Sequence, residues 1–113
     1  MTYQNINEIM EELSESLDCA YAYSAFKEGK RNRFLIFYYD DSDDLYADNI
    51  NYQSIVNLVI EFYAPNKEIA SEKKIQDILA SHEMSYDKSN VYISGEKLHE
   101  TIYYTEVVIN EQS

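Results

Sequence analysis

The sequence predicts an α+β fold with element order α-β-β-β-α-β-β, a largely antiparallel sheet and two helices packed on one face. Three observations carry that prediction. Two segments repeat their apolar residues at helical spacing, and five others are runs of strand length. The strand runs follow one another through short connections, as antiparallel neighbours do. Only two glycines and one proline occur in 113 residues, so sharp turns are few and the elements regular.

The first helix spans 5–17. Ile6, Ile9, Met10, Leu13 and Leu17 form one stripe, and Glu8, Glu11, Glu12 and Glu15 lie mostly off it. Asn5 serves as N-cap with Glu8 three residues on, close to a capping box, and the early acids suit the helix dipole. A strand follows over 19–26, with Cys19, Tyr21 and Tyr23 on one side and Ala20, Ala22 and Ser24 on the other. Residues 27–33 read as a turn, broken by Gly29 and Asn32. The continuous apolar run 34–39 predicts a strand buried on both faces, and an acidic loop from Asp40 to Asn51 comes next. Over 52–63, Val56, Leu58, Ile60 and Phe62 share one face, while Ile55, Val59 and Tyr63 share the other. Pro65 and Asn66 open a second, more polar helix over 67–83, with Ile75, Ile78 and Leu79 inward and His82 a turn later. Strands over 85–94 and 98–109 meet around Gly95, and 110–113 is expected to be a frayed tail.

One domain, residues 1–113, accounts for the length. A domain of this size buries roughly two-thirds of the surface its unfolded chain exposes. A hydrophobic share of 45 % is that of a globular protein. The single cysteine excludes an internal disulfide and a thiolate zinc cluster. No apolar run approaches ~20 residues, so no membrane partner is expected. The acidic N-terminus carries the wrong charge for a targeting signal, which points to a chain made in the cytosol. A net charge of −12 argues against sequence-specific nucleic-acid binding, which needs clustered Lys and Arg. Twelve tyrosines and no tryptophan suit half-buried strands and protein contacts.

Catalytic chemistry has thin support. Cys19, His82 and His99 are the only Cys and His residues. Cys19 reads as a buried, inert thiol, His82 as a helix-dipole partner, and His99 as exposed at a strand start. Asp40, Asp41, Asp43, Asp44 and Asp48 place five carboxylates in nine residues. The segment lacks the glycine and closing glutamate of a calcium loop, and no histidine stands near for a transition metal. No phosphate-cradling or dinucleotide motif occurs. No catalytic residue, metal or cofactor is therefore assigned.

The charge layout carries more information. Lys27, Lys30, Arg31 and Arg33 put four of the nine bases in one turn, and the run 34–39 leads from there to the acidic loop. Two readings stand. The segments are solvated loops, or the basic turn of one subunit meets Asp40, Asp41, Asp43, Asp44 and Asp48 of the next in a head-to-tail contact.

Four blocks together carry a resemblance over residues 6–109: Ala20-Tyr21-Ala22-Tyr23 with Phe26-Lys27-Glu28-Gly29; Tyr46-Ala47-Asp48-Asn49 with Tyr52; Ile60-Glu61-Phe62-Tyr63-Ala64 with Lys67, Glu72 and Ile75; and Tyr86-Asp87-Lys88, Tyr92-Ile93-Ser94-Gly95-Glu96-Lys97-Leu98 and Tyr103-Tyr104-Thr105-Glu106-Val107. In this order the chain resembles the tail terminator, or tail completion, proteins of long-tailed phages and prophages of Gram-positive bacteria. That family usually has a proline just before the second strand, where this chain has Asn32 and Arg33. The resemblance implies a structural, non-enzymatic role in the virion tail, with assembly in the host cytoplasm. It implies a ring, commonly a hexamer, that caps the tail tube, stops its polymerisation and docks the head connector or stopper, and it allows a monomer in isolation. It also implies a channel for DNA, which acids of the first helix or Asp40 to Asp48 would line and repel. The competing reading is a small acidic binding module such as a DNA-mimic inhibitor. That module would spread its acids along one face, whereas a ring subunit would show a tyrosine and aliphatic patch.

Overall fold

In the computed structural model, which describes residues 1–27, 31–40 and 53–110, the elements follow the order α-β-β-β-α-β-β. Helix α1 spans Tyr3–Leu17 and α2 spans Ile69–Ser81. The strands are β1 (Ala20–Tyr23), β2 (Phe34–Asp40), β3 (Gln53–Ala64), β4 (Tyr86–Ile93) and β5 (Leu98–Asn110). They form one sheet in the order β1-β2-β3-β5-β4. Every pairing is antiparallel except β1 with β2.

Helix α1 begins one turn earlier than its apolar stripe requires. Thr2 is the N-cap: its hydroxyl accepts from the Asn5 N–H at 3.0 Å, and Asn5 Oδ1 accepts from the Thr2 N–H at 2.8 Å. Asn5 is thus the third-position partner of a capping box and not the cap. Asp18 ends the helix in the left-handed region at φ 55°, and Ser14 donates to the Cys19 carbonyl at 2.6 Å.

Strand β1 is shorter than the sequence suggests. Ser24 takes φ 67° and leaves the extended region after four residues. Because Ala20 pairs with Phe34 and Tyr23 with Phe37 in the same direction, the basic stretch cannot be a hairpin turn. It belongs to a connection that returns the chain to the start of the neighbouring strand. Asp40 is the last residue of β2 and not the first of a loop. Residues 41–52, with Asp41, Asp43, Asp44 and Asp48, lie outside the described residues, as do Lys30 and the last three residues of the expected tail. Asn110 itself pairs within β5, opposite Gln53. Met1 meets the end of the same strand, through Asn110 N–H to the Met1 carbonyl at 2.9 Å.

Side-chain parity places both helices on one face of the sheet. Leu35 and Phe37, then Leu58, Ile60 and Phe62, then Tyr103, Val107 and Ile109 join the α1 stripe with Ile75 and Leu79 of α2 in a single buried cluster. Two polar networks pin α2 onto this core. Arg33 forks onto Glu68 at 2.9–3.1 Å and donates to the Leu17 carbonyl at 2.6 Å, joining the end of α1 to the start of α2. Glu72 is 4 % exposed, with Lys88 Nζ at 2.8 Å, Lys67 Nζ at 3.0 Å and the Thr101 hydroxyl at 3.3 Å. At the other end of α2, His82 holds Glu12 of α1 at 2.9 Å, an interhelical contact in place of the expected role at the helix dipole alone.

Candidate functional site

Among the described residues, the opposite face of the sheet carries no helix. Among the described strand residues it presents Phe34, Ile36, Tyr38 and Asp40 from β2, and Ile55, Asn57, Val59, Glu61 and Tyr63 from β3. Glu100, Ile102, Tyr104, Glu106 and Val108 from β5, with Asp87 and Val91 from β4, complete it. Four large hydrophobic side chains there stay open to solvent: Ile55 at 57 %, Tyr104 at 46 %, Val108 at 45 % and Val91 at 44 %. Ile55 and Val108 are direct cross-strand partners, so their exposed surfaces merge into one strip. Ile36 and Val59 are nonetheless buried on this face, which fits the expectation that β2 is buried on both sides.

The charges at the described strand positions of this face are all of one sign. Asp40, Glu61, Asp87, Glu100 and Glu106 occupy its described strand positions, and no Lys or Arg does. Tyrosines manage two of these acids. Tyr38 donates to Glu61 Oε2 at 3.0 Å, and the Tyr63 hydroxyl lies 2.8 Å from Glu61 Oε1 and 2.9 Å from Glu100 Oε2. One phenolic proton serves only one of the two carboxylates. Glu100 then gains from a proton of its own, which it shares with the neighbouring Glu61 carboxylate. Burial pushes the Glu100 carboxyl up, the Tyr63 hydrogen bond pulls against it, and the Glu61 charge adds to the rise. Burial and the same carboxylates push Tyr38 up to about 12 and Tyr63 higher still, so both phenols remain donors.

This arrangement sets a pH dependence. Glu100 binds a proton more tightly folded than unfolded, so stability falls as pH rises through its raised folded value. Glu100→Gln keeps a donor without the charge. It is expected to raise the urea midpoint at neutral pH and to remove the gain expected of the wild type as pH falls toward the ordinary carboxylate range. Identical midpoint curves for the two proteins would contradict the shared proton.

At the Phe34 end of the face the rings form a ladder. The Arg31 guanidinium carbon sits 4.1 Å from the centre of the Phe26 ring, Phe26 meets Phe34 edge-on at 5.6 Å, and Phe34 stacks on Tyr63 at 4.6 Å. With Ala20, Arg33, Glu96 and Leu98 these residues line a groove of about 1180 Å³. At the other end of β2, Asp40 stands with Asp87, Tyr104 and Glu106 around a smaller concavity of about 470 Å³.

The sequence-assigned residues therefore divide. Lys27 and Arg31 lie on the connection at the Phe34 end and Asp40 at the far end, as opposed charge along β2 requires. Arg33 is engaged within the same chain by Glu68 and Leu17. Asp87, Glu100 and Glu106, which sequence reading did not single out as a group, reach the face because strand pairing aligns them beside β2 and β3. Glu100 and Glu106 alternate along β5 with inward Thr101, Tyr103, Thr105 and Val107, a pattern the sequence carries. The other side of β4 holds Lys88 and Asn90, so alternation gave no signal for Asp87.

Cys19 is only partly buried, and burial raises its thiol pKa against the pull of Arg33. His99 is half-buried against the Tyr92 ring at 4.9 Å, where exposure was expected. Among the described residues no three His, Cys, Asp or Glu side chains gather as metal ligands. No helix among those residues is long and apolar enough to cross a membrane. No family model matches the chain, and no curated protein does.

Proposed function

We propose that this chain is a structural subunit of a phage tail, a terminator that closes into a ring on the end of the tail tube and presents a docking face to the head connector. The observation that carries the reading is a sheet face that no described element covers, with exposed Ile55, Tyr104, Val108 and Val91 on a chain of charge −12. Large apolar groups left open beside a well-filled core mark a surface that another protein covers. The four sequence blocks supply the kind of assembly, and the opposed charges at the two ends of β2 supply a sense of direction for subunits that meet front to back.

Polymerisation of the tube protein encoded in the same genome tests this. Added chain is expected to arrest elongation and to leave a ring at one tube end under negative stain. Tubes that grow to the same lengths with and without it would overturn the reading. The outward side of α1 favours a second reading, since Glu8, Glu11, Glu12 and Glu15 are all exposed on one helix. A DNA-mimic inhibitor would use such a stripe, and it would bind a basic DNA-binding protein with steep salt dependence instead of capping tubes.

A further inference from the structure

Two carboxylates stand side by side on the sheet face that no described element covers. The Tyr63 hydroxyl lies 2.8 Å from Glu61 and 2.9 Å from Glu100, and Tyr38 donates to the other oxygen of Glu61 at 3.0 Å. Both acids are half-buried, so a side chain arriving from outside reaches them. On the β4 side, Glu100 has Val91 as its cross-strand partner and Ser89 as a diagonal neighbour, neither of them charged. Among the described residues, the groups that act on its charge are Tyr63 and Glu61, and no base is one of them.

The described bases of the chain are placed elsewhere. Arg33 is paired with Glu68, Lys67 and Lys88 with Glu72, and Lys73 with Asp77, while Lys74 donates to the Ser16 carbonyl. Arg31 stands over the Phe26 ring. Lys27 lies on the connection after β1 and Lys97 on the turn before β5, and neither acts on Glu100. Lys30 lies outside the described residues. A like-charge pair held part-way out of water is costly until a cation joins it. A second copy offering the same face would set its own Asp40, Glu61, Asp87, Glu100 and Glu106 against these, so the complementary partner is a protein of opposite charge.

The spacing along β5 describes that partner further. The face runs Glu100, Ile102, Tyr104, Glu106 and Val108. Glu100 and Glu106 stand roughly 20 Å apart by strand rise, the length of about 14 residues of helix. A helix laid along β5 meets an acid at each end of that span and apolar surface between them. Glu106 shares its concavity with Asp87, which strengthens the far end. Helices already cover the other side of the sheet, and one here completes a third layer.

We propose that Glu61 and Glu100 receive a Lys or Arg from an amphipathic helix of another protein, whose apolar side lies along Ile102, Tyr104 and Val91 and whose second base, about four turns on, meets Glu106. The proposal rests on the reading that another protein covers this face and names the chemistry the face takes. Entry of the cation expels the proton that Glu100 holds, which passes to solvent and leaves an ion pair. Docking therefore tightens as pH rises toward the raised value of Glu100 and levels off above it.

Isothermal titration with a helical peptide of about 18 residues tests this, with Leu along one side and two Arg about four turns apart. Buffers of different ionisation enthalpy count the protons released. The wild type should release a proton fraction that grows as pH falls toward the ordinary carboxylate range. Glu100→Gln should bind about tenfold more weakly at neutral pH and release none. Glu61→Gln should weaken binding as well, and urea midpoints of both variants show whether they are folded. Glu8→Gln/Glu15→Gln, on the exposed side of α1, should change neither affinity nor proton release. A peptide that does not bind, or that binds without releasing a proton, would overturn the proposal. So would binding that weakens with Glu8→Gln/Glu15→Gln and not with Glu100→Gln, since charge at large would then be the cause. Tube arrest is scored separately. Arrest without proton release removes this contact and keeps the ring, and proton release without arrest does the reverse.

Discussion

Tyr103→Ala is expected to cost the domain about 4 kcal/mol, in the range for deleting a large buried ring, and so to remove a large part of a typical total of 5–15 kcal/mol. Tyr103 is wholly buried at the centre of β5, opposite Ile60 of β3 and Lys88 of β4. Its ring meets Tyr86 edge-on at 5.4 Å and lies beneath α2. Truncation would open a cavity between the longest strand pair and a helix, where neither can collapse without breaking the β3–β5 ladder. Tyr103→Phe makes the argument specific. The hydroxyl contacts, to the Glu72 carbonyl at 3.5 Å and Gln76 Oε1 at 3.4 Å, are long, so their loss should cost under ~1 kcal/mol. Urea titration of the two variants separates ring from hydroxyl. A Tyr103→Ala protein that loses less than ~1 kcal/mol would show that this ring does not organise the core.

The strong features of this fold are those with a hydrophobic period. Ile6, Ile9, Met10, Leu13 and Leu17 are all buried, as their spacing requires, and Leu58, Ile60 and Phe62 share the core side of β3. Features set by polar geometry were less legible. Thr2 and Asn5 both satisfy a capping pattern, and only the backbone shows which is the cap. The parallel pairing of β1 with β2 leaves no trace in either strand, because four residues of alternating Ala and Tyr fit either direction. The site divides the same way. Charge clustering on Lys27, Arg31 and Asp40 can be read along the chain, but Asp87, Glu100 and Glu106 come together only through cross-strand register. Arg33 looked like one more base of a surface cluster, and its partner Glu68 lies too far along the chain to be paired with it by spacing.

Glu72 is the clearest instance of a charge that composition hides, and the second large effect is expected there. It sits on the inward side of α2 with its carboxylate shared by Lys67, Lys88 and Thr101. Burial pushes this carboxyl up, but the hydrogen bonds and charges of Lys88 and Lys67 outweigh it and hold the group below the ordinary carboxylate value. Glu68 is held low more directly, by its fork onto Arg33. Glu72→Ala would strand two ammonium groups that remain partly open to water, so the cost should fall short of a fully buried pair, about 2 kcal/mol. The pH dependence follows from the sign of the shifts. A carboxyl whose folded pKa is depressed stabilises the fold above its unfolded pKa and loses that contribution as pH falls through the folded value. The wild type should therefore lose stability steeply on the acid side, and a Glu68→Ala/Glu72→Ala protein should be weaker near neutrality but much flatter below about pH 4. Glu100 acts in the other direction, so Glu100→Gln alters only the limb above that range. Chemical denaturation across pH for the three proteins checks this. An acid limb that stays equally steep without Glu68 and Glu72 would mean that other carboxylates, and not the two pinning α2, set the acid sensitivity.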